Sequence, residues 1–227
     1  MDKIQENVEK IKAELANGNP FGESVMLVAA TKTQTAERIN AAILAGVDAV
    51  AENRVQEFRD KAQSLLPCPQ HFIGHLQTNK VKYLVGKVAL IHSCDRDELA
   101  QEISRLSLLK GVESSVLLQV NIGREATKGG YAPEEAFAAF ERLNMLPNLK
   151  IQGFMAMLPN TDELPLLKKL TGEMRVLFER ARDKDSGIET LSVGMSGDYR
   201  LCVEQGSNAV RIGSGIFGAR DYGAGAQ

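Results

Sequence analysis

The sequence predicts an α/β fold in which parallel strands close into one barrel, and three observations carry that reading. Short apolar, β-branched runs alternate with longer stretches of helical periodicity, the pattern of parallel strands joined by crossover helices. The runs number about eight, the number that closes a barrel of the TIM (β/α)8 type. The chain has 227 residues, 44% of them hydrophobic, which is enough for one large core.

An amphipathic helix comes first and is additional to the barrel. Ile4, Val8, Ile11 and Leu15 recur at helical spacing, and Gly18 and Pro20 stop it. Strands are expected near Val25–Ala30, Ala49–Ala51, His71–Gly74, Val88–His92, Val116–Val120, Ile151–Phe154, Thr190–Val193 and Ala209–Ile212, with the second and fourth weakest in pattern. The helices between them carry end signals. Thr35 precedes Ala36-Glu37, with Gly46 behind; Asp95 and Glu98 form a capping pair, with Gly111 at the far end; Pro133-Glu134-Glu135 and Thr161-Asp162-Glu163 open two more. No short-period repeat, low-complexity tract or Pro/Ser-rich linker divides the chain. Residues 1–222 are therefore expected to form one domain, and 223–227, Gly-Ala-Gly-Ala-Gln, a frayed tail.

Charge and composition exclude several functions. The 27 basic and 29 acidic residues are evenly spread, for a formal net charge of −2, so no basic face is offered to a nucleic acid or an anionic membrane. Met1–Glu6 has no stretch of signal-peptide type, and no apolar run is long enough to span a bilayer, which points to the cytoplasm and a small-molecule partner. Cys68, Cys94 and Cys202 are odd in number and far apart, which suits reduced thiols rather than a disulfide framework or a Cys-x-x-Cys metal site.

In such a barrel function sits on the residues just after each strand. Here these are Thr31-Lys32-Thr33, Glu52-Asn53-Arg54, His75-Leu76-Gln77, Ser93, Asn121, Met155, Gly194-Met195-Ser196 and Gly213-Ser214-Gly215. Lys32 lies two positions beyond Ala30, where a partly desolvated amine has a lowered pKa and acts as a Schiff-base nucleophile; a solvated lysine is the plainer alternative. Ser196 opens a short helix through Gln205, either as an N-cap or as an anion holder. Gly213-Ser214-Gly215 follows the last strand, where barrels bind phosphate with backbone N–H groups and a hydroxyl. Two such turns after the last two strands would be neighbours in space. Arg211, two residues earlier, points either into the barrel or toward the helices; if inward, it needs an acceptor, because a guanidinium only donates. His71, His75 and His92 do not have metal-site spacing and are expected in structural or ring-contact roles. Glu52 and Glu57, beside Arg54, read as a solvated ion-pair group.

These segments together resemble a known family. Ala30-Thr31-Lys32-Thr33, Glu52-Asn53-Arg54-Val55-Gln56-Glu57, His71 to Lys80 (HFIGHLQTNK), Ser192 to Asp198 (SVGMSGD) and Val210 to Gly218 (VRIGSGIFG) are similar, in order, to the pyridoxal phosphate homeostasis protein family. The resemblance runs from about Val25 to Tyr222. It implies the barrel of the alanine racemase N-terminal domain, a pyridoxal-phosphate fold of type III, with Lys32 at the family's aldimine-forming lysine. It puts Ser196, Gly213 and Ser214 on phosphate-binding positions, Arg211 opposite the pyridine nitrogen and Asn53 in the pocket lining. Asn121, Glu125, Lys128 and Gly130 match the family's Asn-to-Lys-x-Gly loop, with Lys128 as a second lysine for cofactor hand-over. Ala51 stands where the family usually has glycine, Ser214 for threonine, and Leu201-Cys202 for Ala-Ile.

The implied function is homeostasis of pyridoxal 5'-phosphate, its storage, protection and delivery, by a monomer in transient contact with apo-enzymes and without catalysis of its own. An arginine at the ring nitrogen disfavours carbanion chemistry, although racemases share that feature. Related racemases also bring a catalytic tyrosine from a second domain, whereas Tyr131 and Tyr199 are the tyrosines here that could approach the mouth. An amino-acid racemase and a Schiff-base sugar-phosphate aldolase are the alternatives.

Overall fold

The computed structural model describes residues 3–218, so the tail read at 223–227 lies outside the described residues. Eight parallel strands close in sequence order, β8 pairing with β1. They are β1 (Met26–Ala30), β2 (Ala49–Glu52), β3 (Gln70–Phe72), β4 (Leu90–Cys94), β5 (Ser114–Val120), β6 (Leu149–Ala156), β7 (Thr190–Val193) and β8 (Ala209–Ile212). Around them lie α1 (Lys3–Leu15), α2 (Ala36–Leu44), α3 (Val55–Lys61), α4 (Asp97–Lys110), α5 (Pro133–Leu143), α6 (Leu164–Arg182), α7 (Tyr199–Glu204) and α8 (Ser214–Phe217). This is the predicted (β/α)8 barrel with an additional N-terminal helix. A single 3-10 stretch, Thr78–Tyr83, replaces a full helix between β3 and β4.

The additional helix has a structural reason. Among the described residues only the four of α8 follow β8 as a helix, too short to cover the outer face of β8 and β1. α1 lies against α2 and α8 and buries Ile4, Val8, Ile11 and Leu15, the four positions its periodicity marked. The Asn7 side chain donates to the Ile216 carbonyl at 2.9 Å and ties the two ends together.

Some boundaries differ from expectation. β4 starts at Leu90, because Val88 N–H still bonds the Leu84 carbonyl at 3.1 Å and belongs to the preceding turn. β4 also runs on to Cys94 and β6 to Ala156, past their expected ends, so Ser93 and Met155 lie inside strands and are buried rather than standing at the mouth. Asp95 does not cap α4: Arg96 is the cap residue, and Asp95 instead accepts from Arg96 and His75. Gly111 does end α4, at a left-handed φ of 64°.

The apolar core is mainly the shell between barrel and helices. Two small clusters, Val28, Ala49 and Ala51, and Leu90, Leu117 and Met155, stand apart from it. Strand register puts Arg211 beside Val28, His71 beside Ala51 and Leu90, and Ser192 beside Met155. Neighbours in register share a face, so the barrel interior mixes these apolar groups with a polar set. Among the described residues no helix is long and apolar enough to cross a membrane.

Candidate functional site

Lys32 sits on a turn held from three sides. Thr31 N–H and Oγ1 both donate to the Ala51 carbonyl, at 2.9 and 3.0 Å, and Oγ1 also lies 2.7 Å from Glu52 Oε1. Thr33 has a φ of 65°, a left-handed conformation that a β-branched residue adopts only under constraint. Its N–H is held at 2.8 Å by Glu57 Oε2. Lys61 then bridges both carboxylates, 3.0 Å from Glu52 and 2.7 Å from Glu57. This corrects the reading of a solvated group around Arg54: Glu52 is buried, Arg54 reaches Glu57 only at 3.9 Å, and Lys61 is the partner. Burial opposes both charges, but the Lys61 bond and the Thr33 amide hold the Glu57 pKa down, and the two carboxylates hold the Lys61 pKa up.

The two glycine turns meet beside this lysine. Ser196 Oγ accepts from Gly213 N–H at 3.3 Å and from Gly215 N–H at 3.1 Å, so backbone donors of one loop converge on the hydroxyl of the other. Ser196 is not the cap of α7; that position belongs to Asp198, whose Oδ1 accepts from Met195 N–H at 2.6 Å. Glycine is required at Gly194, where φ is 110° and a Cβ would stand 3.0 Å from Tyr199 Cα. At Gly215 a Cβ would come within 2.8 Å of Ile212 Cγ2. Ser196, Gly213 and Ser214, with Lys32, Gln34, Met195, Arg211 and Phe217, line a cavity of about 240 Å³.

Arg211 points into the barrel, which settles the open choice of face. Its Nη1 donates to Ser192 O at 2.7 Å and Oγ at 2.6 Å, and its Nη2 to Ala156 O at 2.9 Å. Burial brings its pKa down to about 10, so it stays charged at neutral pH. Ser192 Oγ lies 3.1 Å from His92 Nδ1, and His92 Nε2 lies 3.0 Å from His71 Nδ1, a polar chain across the interior. Burial pushes His71 down to about 4 and His92 well below its ordinary value, so both are neutral.

Other expected residues stand elsewhere on the rim. Asn53 does not line the Lys32 cavity; it lines a neighbouring cleft, and its Oδ1 is buried without a partner. Asn121 closes its own loop, donating to the Glu125 and Lys128 carbonyls at 2.9 and 3.0 Å. The Lys128 amine pairs with Glu125 and donates to Leu158 O at 3.0 Å. Tyr131 donates to Asp97 at 3.0 Å and Tyr199 to Glu14, and neither lines the cavity. Burial raises both phenol pKa values, that of Tyr199 to about 12. Sequence reasoning missed Gln34 and Phe217 as cavity walls and Lys61 as an organiser. The position of Lys61 four residues after Glu57 was the available signal.

Residues 1–221 match the family model for the alanine racemase N-terminal domain. The pyridoxal phosphate homeostasis protein of Aquifex aeolicus is 40% identical over 98% of this chain and 97% of its own. Among solved structures, an unknown protein from Bifidobacterium adolescentis superposes with a TM-score of 0.90 at 31% identity, covering 95% of this chain and 94% of that one. PipY of Synechococcus elongatus, solved with pyridoxal phosphate bound, superposes with a TM-score of 0.83 at 29% identity, over 95% of this chain and 100% of that one. With near-complete coverage on both sides, this chain belongs to the pyridoxal phosphate homeostasis protein family, built on the alanine racemase N-terminal domain.

Proposed function

We propose that the chain binds pyridoxal 5'-phosphate in the Lys32 cavity and serves its homeostasis, storing, protecting and delivering the cofactor rather than turning over amino acids. The observation that carries this reading is the convergence of one lysine, a cradle of N–H and hydroxyl donors and a buried guanidinium on a single cavity. These residues fit the group. A phosphate accepts only, and Gly213 N–H, Gly215 N–H, Ser196 and Ser214 offer donors. A pyridine nitrogen is an acceptor, and Arg211 donates only.

When bound, the cofactor supplies an aldehyde that condenses reversibly with a lysine amine and a ring that withdraws electrons. Lys32 is the lysine that lines the cavity, on the constrained turn that includes Thr33. Arg211, fixed by bonds to Ser192 and Ala156, holds whatever acceptor it faces unprotonated, which weakens electron withdrawal. Storage tolerates that. The Tyr131 and Tyr199 hydroxyls are engaged with carboxylates away from the cavity, so neither stands ready as the second acid–base group of a racemase. The name of the Aquifex relative and the ligand of PipY support the same reading. A cytoplasmic monomer in transient contact with apo-enzymes completes it, and the free Cys68, Cys94 and Cys202 suit that compartment.

Mass spectrometry of the borohydride-reduced protein tests it. A pyridoxyl adduct on Lys32 is expected, with no interconversion of alanine enantiomers. An adduct on another lysine would break the assignment, and turnover of about 1 per second or faster would mark a racemase instead. A sugar-phosphate adduct on Lys32 without pyridoxal phosphate would point to an aldolase.

A further inference from the structure

Beside the Lys32 cavity, the ends of β2 and β3 enclose a second cleft of about 270 Å³ whose lining includes Asn53, Arg54, Arg59, His75, Lys80 and Tyr83 and, among the described residues, no carboxylate. Cations crowd around the Tyr83 ring. Arg59 Cζ lies 4.5 Å from the Tyr83 ring centroid, Lys82 Nζ 5.3 Å and Lys80 Nζ 5.9 Å. Among the described residues none of these three cations forms an ion pair; Lys61 holds the nearby carboxylates of Glu52 and Glu57, and Arg96 and His75 hold that of Asp95. Three like charges about one ring repel one another, and exposed cation–π contacts offset only part of that. The cleft wall is preformed. Ile73 N–H bonds the Glu52 carbonyl at 2.9 Å, and a Cβ at Gly74 would fall 1.9 Å from Asn53 O, so the two loops meet backbone to backbone. The buried, unpartnered Oδ1 of Asn53 belongs to this lining.

We propose that this cleft is a second anion site, which takes a small phosphate monoester between Arg59 and Lys80, with His75 and Arg54 at its edge. A dianion with three terminal oxygens answers a guanidinium fork and an ammonium together, and it relieves the repulsion among the cations. The site is formed by a different part of the rim from the Lys32 cavity and does not depend on what Lys32 binds.

The test is titration of the full chain with phenyl phosphate, followed through the imidazole NMR signal of His75, with sodium chloride at matched ionic strength as reference. His75 is exposed, while His71 and His92 are buried in the barrel and report that the fold is intact. A saturable His75 shift is expected, absent with chloride and weakened about tenfold or more in the Arg59→Gln/Lys80→Gln protein. Lys82→Gln, which removes a cation of the same cluster outside the cleft lining, leaves the affinity within about threefold, because it removes only screened charge. Should the double variant lose the His71 and His92 signals, Lys80→Gln alone carries the comparison. A shift reproduced by chloride, or one undiminished in the variant, would overturn the proposal.

Discussion

Where β7, β8 and β1 end, Gly213 and Gly215 direct two backbone N–H groups at the Ser196 hydroxyl, and Lys32 and Arg211 open onto the same cavity. Across the mouth, where β5 ends, a loop of similar polarity turns on itself. Asn121 bonds the Glu125 and Lys128 carbonyls and accepts from Glu125 N–H at 3.1 Å, while the Lys128 amine is taken by Glu125 and Leu158. Both rims carry a lysine, an amide or hydroxyl and glycines. The difference is that the first brings polar groups of two separate loops together beside a cavity, whereas the second satisfies its own within one loop.

The sharpest way to break that contrast is to remove each lysine in turn. Lys32→Ala is expected to abolish the visible absorption of protein incubated with pyridoxal phosphate, together with the borohydride-trapped adduct, whereas Lys128→Ala keeps both. Absorption that survives in the first variant, or vanishes in the second, would move the site to the other rim.

A second comparison is energetic. Arg211→Met leaves the carbonyls of Ser192 and Ala156 without their donor inside the barrel and should lower the unfolding free energy by about 2–4 kcal/mol, read from urea midpoints. Lys128→Met, at a partly exposed ion pair, should cost less than about 1 kcal/mol. Equal losses would mean that Arg211 is no better embedded than a rim lysine.

The interior chain behind Arg211 also predicts a pH dependence. His71 has an ordinary value of 6.5 and is held at about 4 by burial, so the folded state favours its neutral form. Stability from that preference is complete above pH 6.5 and is lost as pH falls toward 4, because the unfolded chain takes up the proton first. Between pH 7 and 5 the loss for His71 is about 2 kcal/mol, and His92, shifted the same way, adds to it. His71→Gln should flatten the profile of urea midpoint against pH. A wild-type profile already flat over that range would show the pair exposed to water.

This interior chain marks the limit of what the sequence disclosed. The barrel was legible because strand and helix periods alternate, and the shared place of Lys32, Ser196 and Gly213 on one cavity was legible because the residues just after the strands form a barrel's mouth. Whether Arg211 faced inward was not, since alternation leaves two faces until a neighbour in register fixes one; Val28 beside Arg211 does so. The contacts among His71, His92 and Ser192 join β3, β4 and β7, a closure no local pattern contains. Asp95 was misread for the opposite reason. Its spacing to Glu98 is that of a capping box, but Arg96 and His75 compete for the carboxylate, and the helix starts later.

The smallest effect bears on the cradle itself. Ser196→Ala removes the hydroxyl that now accepts from Gly213 and Gly215 N–H, yet leaves both amides, the Gly194 turn and the cavity walls in place. If the hydroxyl contributes one hydrogen bond to a bound phosphate, its loss should weaken retention of the cofactor about tenfold. The adduct should still form on Lys32, since the amine is presented by a separate turn. Faster release on dilution, measured by the decay of the visible absorption, would show affinity and covalent capture resting on different loops. If instead Ser196→Ala holds the cofactor as well as the wild type, the two amides suffice, and Ser196 serves only to pin β7 to β8 as its bonds to Gly213 and Gly215 already do.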